Sequence, residues 1–392
     1  MKLLPYNKCI TLLCYYMLIS YFSCTYATAQ DTFISSCDKI PIGYEGKVFK
    51  IKTDYPDKIH NVQKPWESIS FKQEPEKYAY AIINYIYEGN INCDFDLYCN
   101  KISNWYHAPW MHYGLTGREF VRGLTREKSL IPSQLHINQK STFQNWAISI
   151  VNEMGAYTYG QVWKNVNKPD IKKGIFLNGT VSAKIIFTEA TPIEVPYLKN
   201  SVEWIAYINQ SGKGTPKDFK ILRLLQIDFF VKDKRSKETG WVAGTFIYDS
   251  SVNNINPWFN IKLIGVSWGN DPDYSSIDYQ QGKTLSESWV SDENSKHLGY
   301  LGRLAGPADN KNSSCLSCHS TAQYPERSLS VPVMKDMTEK EIAYWFRNLN
   351  SEAFDKESFN LDYSKQLSHG IIHFYKAQTN KDPTGCNNFN LP

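Results

Sequence analysis

Cys315, Cys318 and His319 are the residues whose types and spacing point to a definite chemistry. In Cys315-Leu316-Ser317-Cys318-His319 two thiols stand two residues apart and an imidazole follows at once. This is the c-type haem attachment pattern. Each thiol can add to one vinyl group of a single porphyrin, and the next residue then lies under the ring, where its imidazole can bind iron. Cys315 and Cys318 are therefore the expected thioether anchors and His319 the expected proximal iron ligand. A thioredoxin-like dithiol leaves the adjacent histidine unexplained, and half of a zinc cage lacks the second CxxC that would complete it. The motif occurs once, so one covalently attached haem c is the expected cofactor.

The sixth coordination position separates the function classes. Met334 and Met337 follow His319 by fifteen and eighteen residues, and a thioether on the distal side would give a six-coordinate site suited to electron transfer. His369 and His373 lie four apart, hence on one face of a helix. For each of the four, taken singly, packing or surface placement outweighs ligation, and the iron could equally have no sixth protein ligand. The run Trp105-Tyr106-His107-Ala108-Pro109-Trp110-Met111-His112-Tyr113, with Arg118 and Glu119 beyond it, could wall a haem edge or supply a proton donor. The favoured reading is a core-covering loop in which Trp110 and Met111 pack and the imidazoles hydrogen-bond, with Thr116-x-x-Glu119 capping a following helix.

The elements that must position these groups change period along the chain. Residues 30–141 are aromatic and irregular, with one clear helix that Pro75 opens, Ala79, Ile82, Ile83 and Ile86 stripe, and Gly89 closes. Ser141-x-x-Gln144 reads as a capping box, predicting a second helix with Phe143, Trp146, Ala147, Ile150, Val151 and Met154 on its buried face. The runs 180–187, 221–231, 240–248 and 261–268 are β-branched and aromatic, separated by turn-rich pieces. They predict a mainly antiparallel sheet. Thr338-x-x-Glu341 caps a helix through Ile342, Trp345, Phe346 and Leu349, and Tyr363, Leu367, Ile371 and Phe374 suggest one more. The expectation is an α+β protein, a mainly antiparallel β-sheet core flanked by helices, with haem attached near its C-terminal end. Its parts are a signal peptide (1–29), an aromatic-rich, partly helical N-terminal region (30–141), a β-rich haem-attachment domain (142–325) and a helical C-terminal extension (326–392).

Composition and cysteine usage bound the setting. At 392 residues, 42% of them hydrophobic, with a mean hydropathy of −0.44, the chain can bury a sizeable core. A formal charge of +4 is no electrostatic footprint for nucleic acid. Lys2 and Lys8, the apolar residues 9–22, and Ala27-Thr28-Ala29 before Gln30 have the layout of a secretory signal peptide. The apolar stretch is short for a membrane span; an uncleaved anchor, or lipidation at Cys24, is the alternative. The expectation is a periplasmic or otherwise exported bacterial protein with no integral membrane segment after cleavage. Cleavage removes Cys9, Cys14 and Cys24, and beside the motif leaves Cys37, Cys93, Cys99 and Cys386, an even number in an oxidising compartment with three possible pairings. Cys93 and Cys99 bracket a short loop that a local disulfide bond could close, which would pair Cys37 with Cys386.

A resemblance adds to this reading. Most single-haem c-type cytochromes are small helical bundles with CxxCH near the N-terminus, whereas this chain carries it behind a β-rich region. The segments 176–181 (FLNGTV), 226–233 (QIDFFVKD) and Gly240-Trp241, followed by the CxxCH, resemble the β-sheet cytochromes c′-beta, whose relatives include hydroxylamine-oxidising enzymes with a haem–lysine cross-link. The resemblance covers roughly residues 145–325. It implies an iron whose far side is open or weakly held. Lys184 could correspond to the cross-linking lysine, but a solvent-facing residue on a half-exposed strand is the favoured reading and the cross-link is not carried over. The chain as a whole also looks like exported bacterial proteins of the cytochrome c family. The functional expectation is an exported single-haem cytochrome that exchanges electrons with redox partner proteins. The alternative, which leaves open whether it is an enzyme, is a haem enzyme or sensor that binds a peroxide, a nitrogen oxide or a hydroxylamine-like molecule at an open iron.

Overall fold

The computed structural model describes residues 40–60, 62–111, 118–208, 218–328, 331–332 and 337–379. The expected signal peptide, Cys37 and Cys386 lie outside these residues. Among the described residues the chain builds a nine-stranded antiparallel sheet, flanked by helices. The strands are β1 (Trp105–His107), β2 (Thr125–Arg126), β3 (Asn145–Asn152), β4 (Val181–Thr188), β5 (Glu203–Ile208), β6 (Asp218–Lys232), β7 (Trp241–Tyr248), β8 (Ile261–Ser267) and β9 (Ser288–Val290). Their order is β1-β3-β4-β6-β7-β8-β9. Two strands are long enough to take two neighbours on one edge. β3 pairs β2 at Trp146 and Ala147 and β1 at residues 150–152, and β6 pairs β5 through residues 218–223 and β4 through residues 223–231.

The four β runs read from sequence are β4, β6, β7 and β8, with ends shifted by a residue or a few. The helix expected from the Ser141 capping box is a correction: residues 145–152 are strand β3, buried along its whole length. A strand covered on both faces carries a near-continuous apolar run, and the periodicity of so short a run does not distinguish it from a buried helix. Gln144 spends its side chain on Arg126 and on the carbonyls of Glu127 and Asn145 rather than on a helix end. The helix begins one element later, α2 (Glu153–Val162), where Asn152 at the N-cap accepts from the Gly155 amide at 3.2 Å.

Before it comes α1 (Pro75–Tyr87), with Pro in its first turn and Tyr78, Ala79, Ile82, Ile83 and Ile86 buried. α3 (Ser276–Gln280) lies between β8 and β9, and after the sheet come α4 (Cys315–His319), a small β10 (Gln323–Tyr324) and β11 (Phe359–Asn360) ladder, α5 (Glu339–Trp345) with the expected Thr338 capping box, and α6 (Lys365–Thr379). Thr116 is outside the described residues, and no helix follows Glu119. Its buried carboxylate instead accepts from the amides of Val121, Arg122 and Leu124 and closes a turn. No helix among the described residues is long and apolar enough to cross a membrane.

Strand alternation divides the core between the two faces of the sheet. Ile148 and Ile150 of β3, Ala183 and Ile185 of β4, Ile227 and Phe229 of β6, and Phe246 of β7 enter the larger cluster, together with α1. The opposite face carries Val151, Phe230, Trp241 and Ala243, which pack with Leu316 of α4 and with Leu367, Ile371 and Phe374 of α6. The CxxCH turn and the last helix therefore sit on the same side of the sheet.

Candidate haem site

α4 is only five residues long, too short to persist by itself, and hydrogen bonds and one buried side chain hold it. Ser314 accepts from the Ser317 amide at 3.0 Å, while the Ser317 hydroxyl accepts from the Ser314 amide at 2.8 Å, a reciprocal capping box. The Ser314 hydroxyl also donates to Asn270 at 3.0 Å, and the Cys315 amide donates to the Leu304 carbonyl at 2.9 Å. Leu316, fully buried, anchors the turn from below. Cys315 and Cys318 are both free thiols, and burial, with nearby Asp309, pushes both toward the protonated form.

Cys315, Cys318 and His319 line one cleft of about 250 Å³, or about 1030 Å³ counted out to its open mouth. Ser149, Ser182, Lys184, Asp228 and Phe230 of the sheet form its floor, drawn from two cross-strand rows. Ser149, Lys184, Asp228 and Thr245 stand in register across β3, β4, β6 and β7, and Val151, Ser182, Phe230 and Ala243 form the next row. His319 lies flat on the Phe230 ring, with centroids 3.9 Å apart. Met111 and, from α6, Lys365, Gln366 and His369 complete the walls.

The orientation of His319 comes from a residue that the sequence reading missed. Its Nδ1 stands 2.8 Å from the Tyr363 carbonyl. A carbonyl only accepts, so Nδ1 carries the hydrogen and Nε2 keeps its lone pair. Burial pushes the His319 pKa down to about 3, so the ring is neutral at neutral pH. Asp362 and Tyr363 both have left-handed backbone, φ +50 and +62. The turn is pinned by Asp362, which is 1% exposed and accepts from Lys232 Nζ at 2.6 Å, Trp241 Nε1 at 2.9 Å and the Phe176 amide at 2.8 Å. A chemical signal was available in the turn-rich Asn360-Leu361-Asp362-Tyr363-Ser364, but nothing in it names His319 as the partner.

A second polar group stands on the floor. Asp228 accepts from Thr245 Oγ1 at 2.9 Å and from Gln226 Nε2 at 2.8 and 2.9 Å, and the same amide nitrogen reaches Asp309 at 3.1 Å. Burial first, then the neighbouring Asp309 charge, pushes the Asp228 pKa up to about 7. Lys184 is not a solvent-facing strand residue as expected. It faces the cleft, half-buried, with its ammonium 2.7 Å from Glu127.

The candidate sixth ligands separate. His369 lines the cleft, and burial holds its imidazole neutral. His373 instead places Nδ1 2.8 Å from the Trp110 carbonyl. Met337 packs in a small cluster around Val331 and Phe346, and Met334 lies outside the described residues. Of the aromatic run, Trp105, Tyr106 and His107 form β1, His107 Nδ1 accepts from the Lys52 amide at 2.9 Å, and Trp110 and Met111 are buried. His112 and Tyr113 lie outside the described residues. Away from the cleft, Cys93 and Cys99 form the expected local disulfide.

These residues fit a covalently held haem: two free thiols on one turn, and a neutral imidazole with one nitrogen fixed by a carbonyl and the other available to a metal. No group of three or more His, Cys, Asp or Glu side chains among the described residues is arranged to hold a metal ion by itself, so the two thiols have no partners for a zinc cage there. Fold and site together define an antiparallel α+β protein with a dithiol–imidazole turn docked on one face of its sheet. The chain matches no family model, no curated protein and no solved structure.

Proposed function

We propose that the protein is an exported, bacterial, single-haem c-type cytochrome in which Cys315 and Cys318 form thioethers with one haem c and His319 binds its iron, and that it exchanges electrons with redox partner proteins. The observation that carries this reading is the His319 arrangement: hydrogen-bonding of Nδ1 to a backbone carbonyl is how proteins fix the tautomer and raise the basicity of a metal-binding imidazole. Bound haem would supply one-electron exchange at its iron. The chain's own residues hold and tune it. Thiols kept protonated by burial resist stray oxidation before attachment. The Asp362 turn fixes the imidazole, and Phe230 packs its face. The signal-like N-terminus and the Cys93–Cys99 disulfide support an oxidising compartment.

A second reading, a haem enzyme or small-ligand sensor, is favoured by one observation: Asp228, Lys184 and Asp309 give the cleft proton-bearing groups that a simple carrier does not need. Two measurements decide. Denaturing gels stained for haem should show covalent haem in the exported protein and none in Cys315→Ala/Cys318→Ala; stain that survives in the double variant overturns haem attachment. The optical spectrum of the reduced protein should be unchanged by carbon monoxide if a protein group such as His369 fills the sixth position, whereas immediate binding moves the assignment to the second reading.

A further inference from the structure

We propose that Asp228 and Asp309 form a proton-binding site linked to the redox state of the iron at His319, Asp228 taking up a proton from solvent when a one-electron donor protein reduces the iron. The inference rests on the haem reading above and adds a function to its cleft. Its basis is the geometry of the pair. Two carboxylates converge on one amide nitrogen, Gln226 Nε2, while the Gln226 carbonyl is held by the Ala308 amide at 3.0 Å, so the amide cannot turn away. The Gly306 amide donates to Asp309 at 2.6 Å, which fixes the second carboxylate against the first. Gly306 is what lets this loop approach: a Cβ there would stand 2.3 Å from the Gln226 side-chain amide. Among the described residues, neither carboxylate forms an ion pair with Lys or Arg.

Two ammonium groups act on the pair from outside it: Lys184 of β4, whose charge opposes protonation of Asp228, and Lys311, whose charged form Asp309 favours. Lys184 is also paired with Glu127, Lys311 donates to the His297 carbonyl, the α4 cysteines carry no charge as thioethers, and Lys365 of α6 bonds Thr321 and Glu326. His369 of α6 is neutral. Two carboxylates on one donor in a desolvated place cannot both stay ionised without cost, so the pair is poised to hold one proton. The pair is also next to the cofactor's attachment point. Thr245 Oγ1, which donates to Asp228, stands 3.7 Å from Cys315 Sγ. An electron placed on the iron makes the cleft more negative and raises the proton affinity of Asp228. The balance is simple: the donor protein loses one electron, ferric iron becomes ferrous, one proton enters from solvent, and an O–H bond forms on Asp228.

The test is the midpoint potential of the holoprotein, measured by optical titration from about pH 5 to 9. One proton per electron makes each tenfold fall in proton concentration lower the potential by about 59 mV, so the wild-type potential should fall with pH across part of this range. Asp228→Asn, which keeps the shape and the Gln226 and Thr245 neighbours, should flatten that slope in the haem-loaded protein. Asp309→Asn should keep the slope and move it to lower pH, because the charge that helps hold the proton on Asp228 is gone. A reduced-minus-oxidised infrared difference spectrum should show a protonated carboxyl band that Asp228→Asn removes. A haem-loaded wild type with a flat potential, or a slope unaltered in Asp228→Asn, overturns this proposal alone; absence of covalent haem overturns the reading beneath it.

Discussion

His319 and Asp362 show how single residues at this site depend on one another. The imidazole is useful to a metal only while neutral and only with Nε2 presented, and both conditions trace to burial and to the Tyr363 carbonyl. That carbonyl is held by an ion pair whose acid is almost fully buried: Lys232 is 13% and Asp362 1% exposed at their side chains. Breaking such a pair leaves an uncompensated charge inside. Asp362→Ala should therefore lower stability by about 3–5 kcal/mol in urea denaturation, and Asp362→Asn, which still accepts from Trp241, should lose less. Equal losses would mean that the hydrogen bond from Trp241 contributes nothing and the uncompensated Lys232 charge accounts for the whole cost. The motif residues were legible because the CxxCH pattern is contiguous. Asp362, Tyr363, Asp228 and Asp309 were not, because each reaches the cleft through the register of a distant strand or loop.

At the scale of elements, the error over residues 141–154 and the correct reading of the Thr338 helix have one cause. A capping box is decisive where the following stripe has one exposed face, as in α5, and uninformative before a segment buried on every side, as β3 is. β3 is buried because β4 covers one edge, β1 and β2 the other, and a hydrophobic cluster lies on each face. α4 is the opposite case, a short element that local bonds define. Ser314→Ala removes both its N-cap acceptor and the bond to Asn270. It should cost about 1 kcal/mol in chemical denaturation, and an unchanged midpoint would mean that Leu316 burial alone holds the turn.

For the whole molecule, acidity is the expected weakness. Burial pushes His107 well below its ordinary value, His297 to about 3 and His373 to about 4. An imidazole whose folded pKa lies below the unfolded 6.5 binds fewer protons when folded, so its contribution is complete above pH 6.5 and is lost as pH falls toward 4 and 3. Asp228 acts in the opposite sense: its raised pKa favours the folded state in acid, and that contribution is lost as pH rises from about 4 to about 7. These imidazoles, with His319 and His369, outweigh Asp228 and the two other carboxyls that burial raises, Glu119 and Glu326, so urea midpoints should fall between about pH 6.5 and 4. They should fall more steeply in Asp228→Asn, which removes one of the opposing groups. Midpoints that hold constant or rise on acidification would contradict this.

The sequence by itself determined the chemistry that is local. The CxxCH spacing, the Thr338 cap, the stripe of α1, the alternating strands and the Cys93–Cys99 loop all rest on neighbours a few residues apart. Only the tertiary structure decided what crosses the chain. It made 145–152 a strand by burying it on both faces. It brought Lys184 from expected solvent to the cleft, sent His373 and Met337 elsewhere while leaving His369 beside the motif, and set a carbonyl from residue 363 and two carboxylates from residues 228 and 309 around a turn at residues 315–319. Such contacts depend on sheet register and loop reach, and a period read along the chain carries neither.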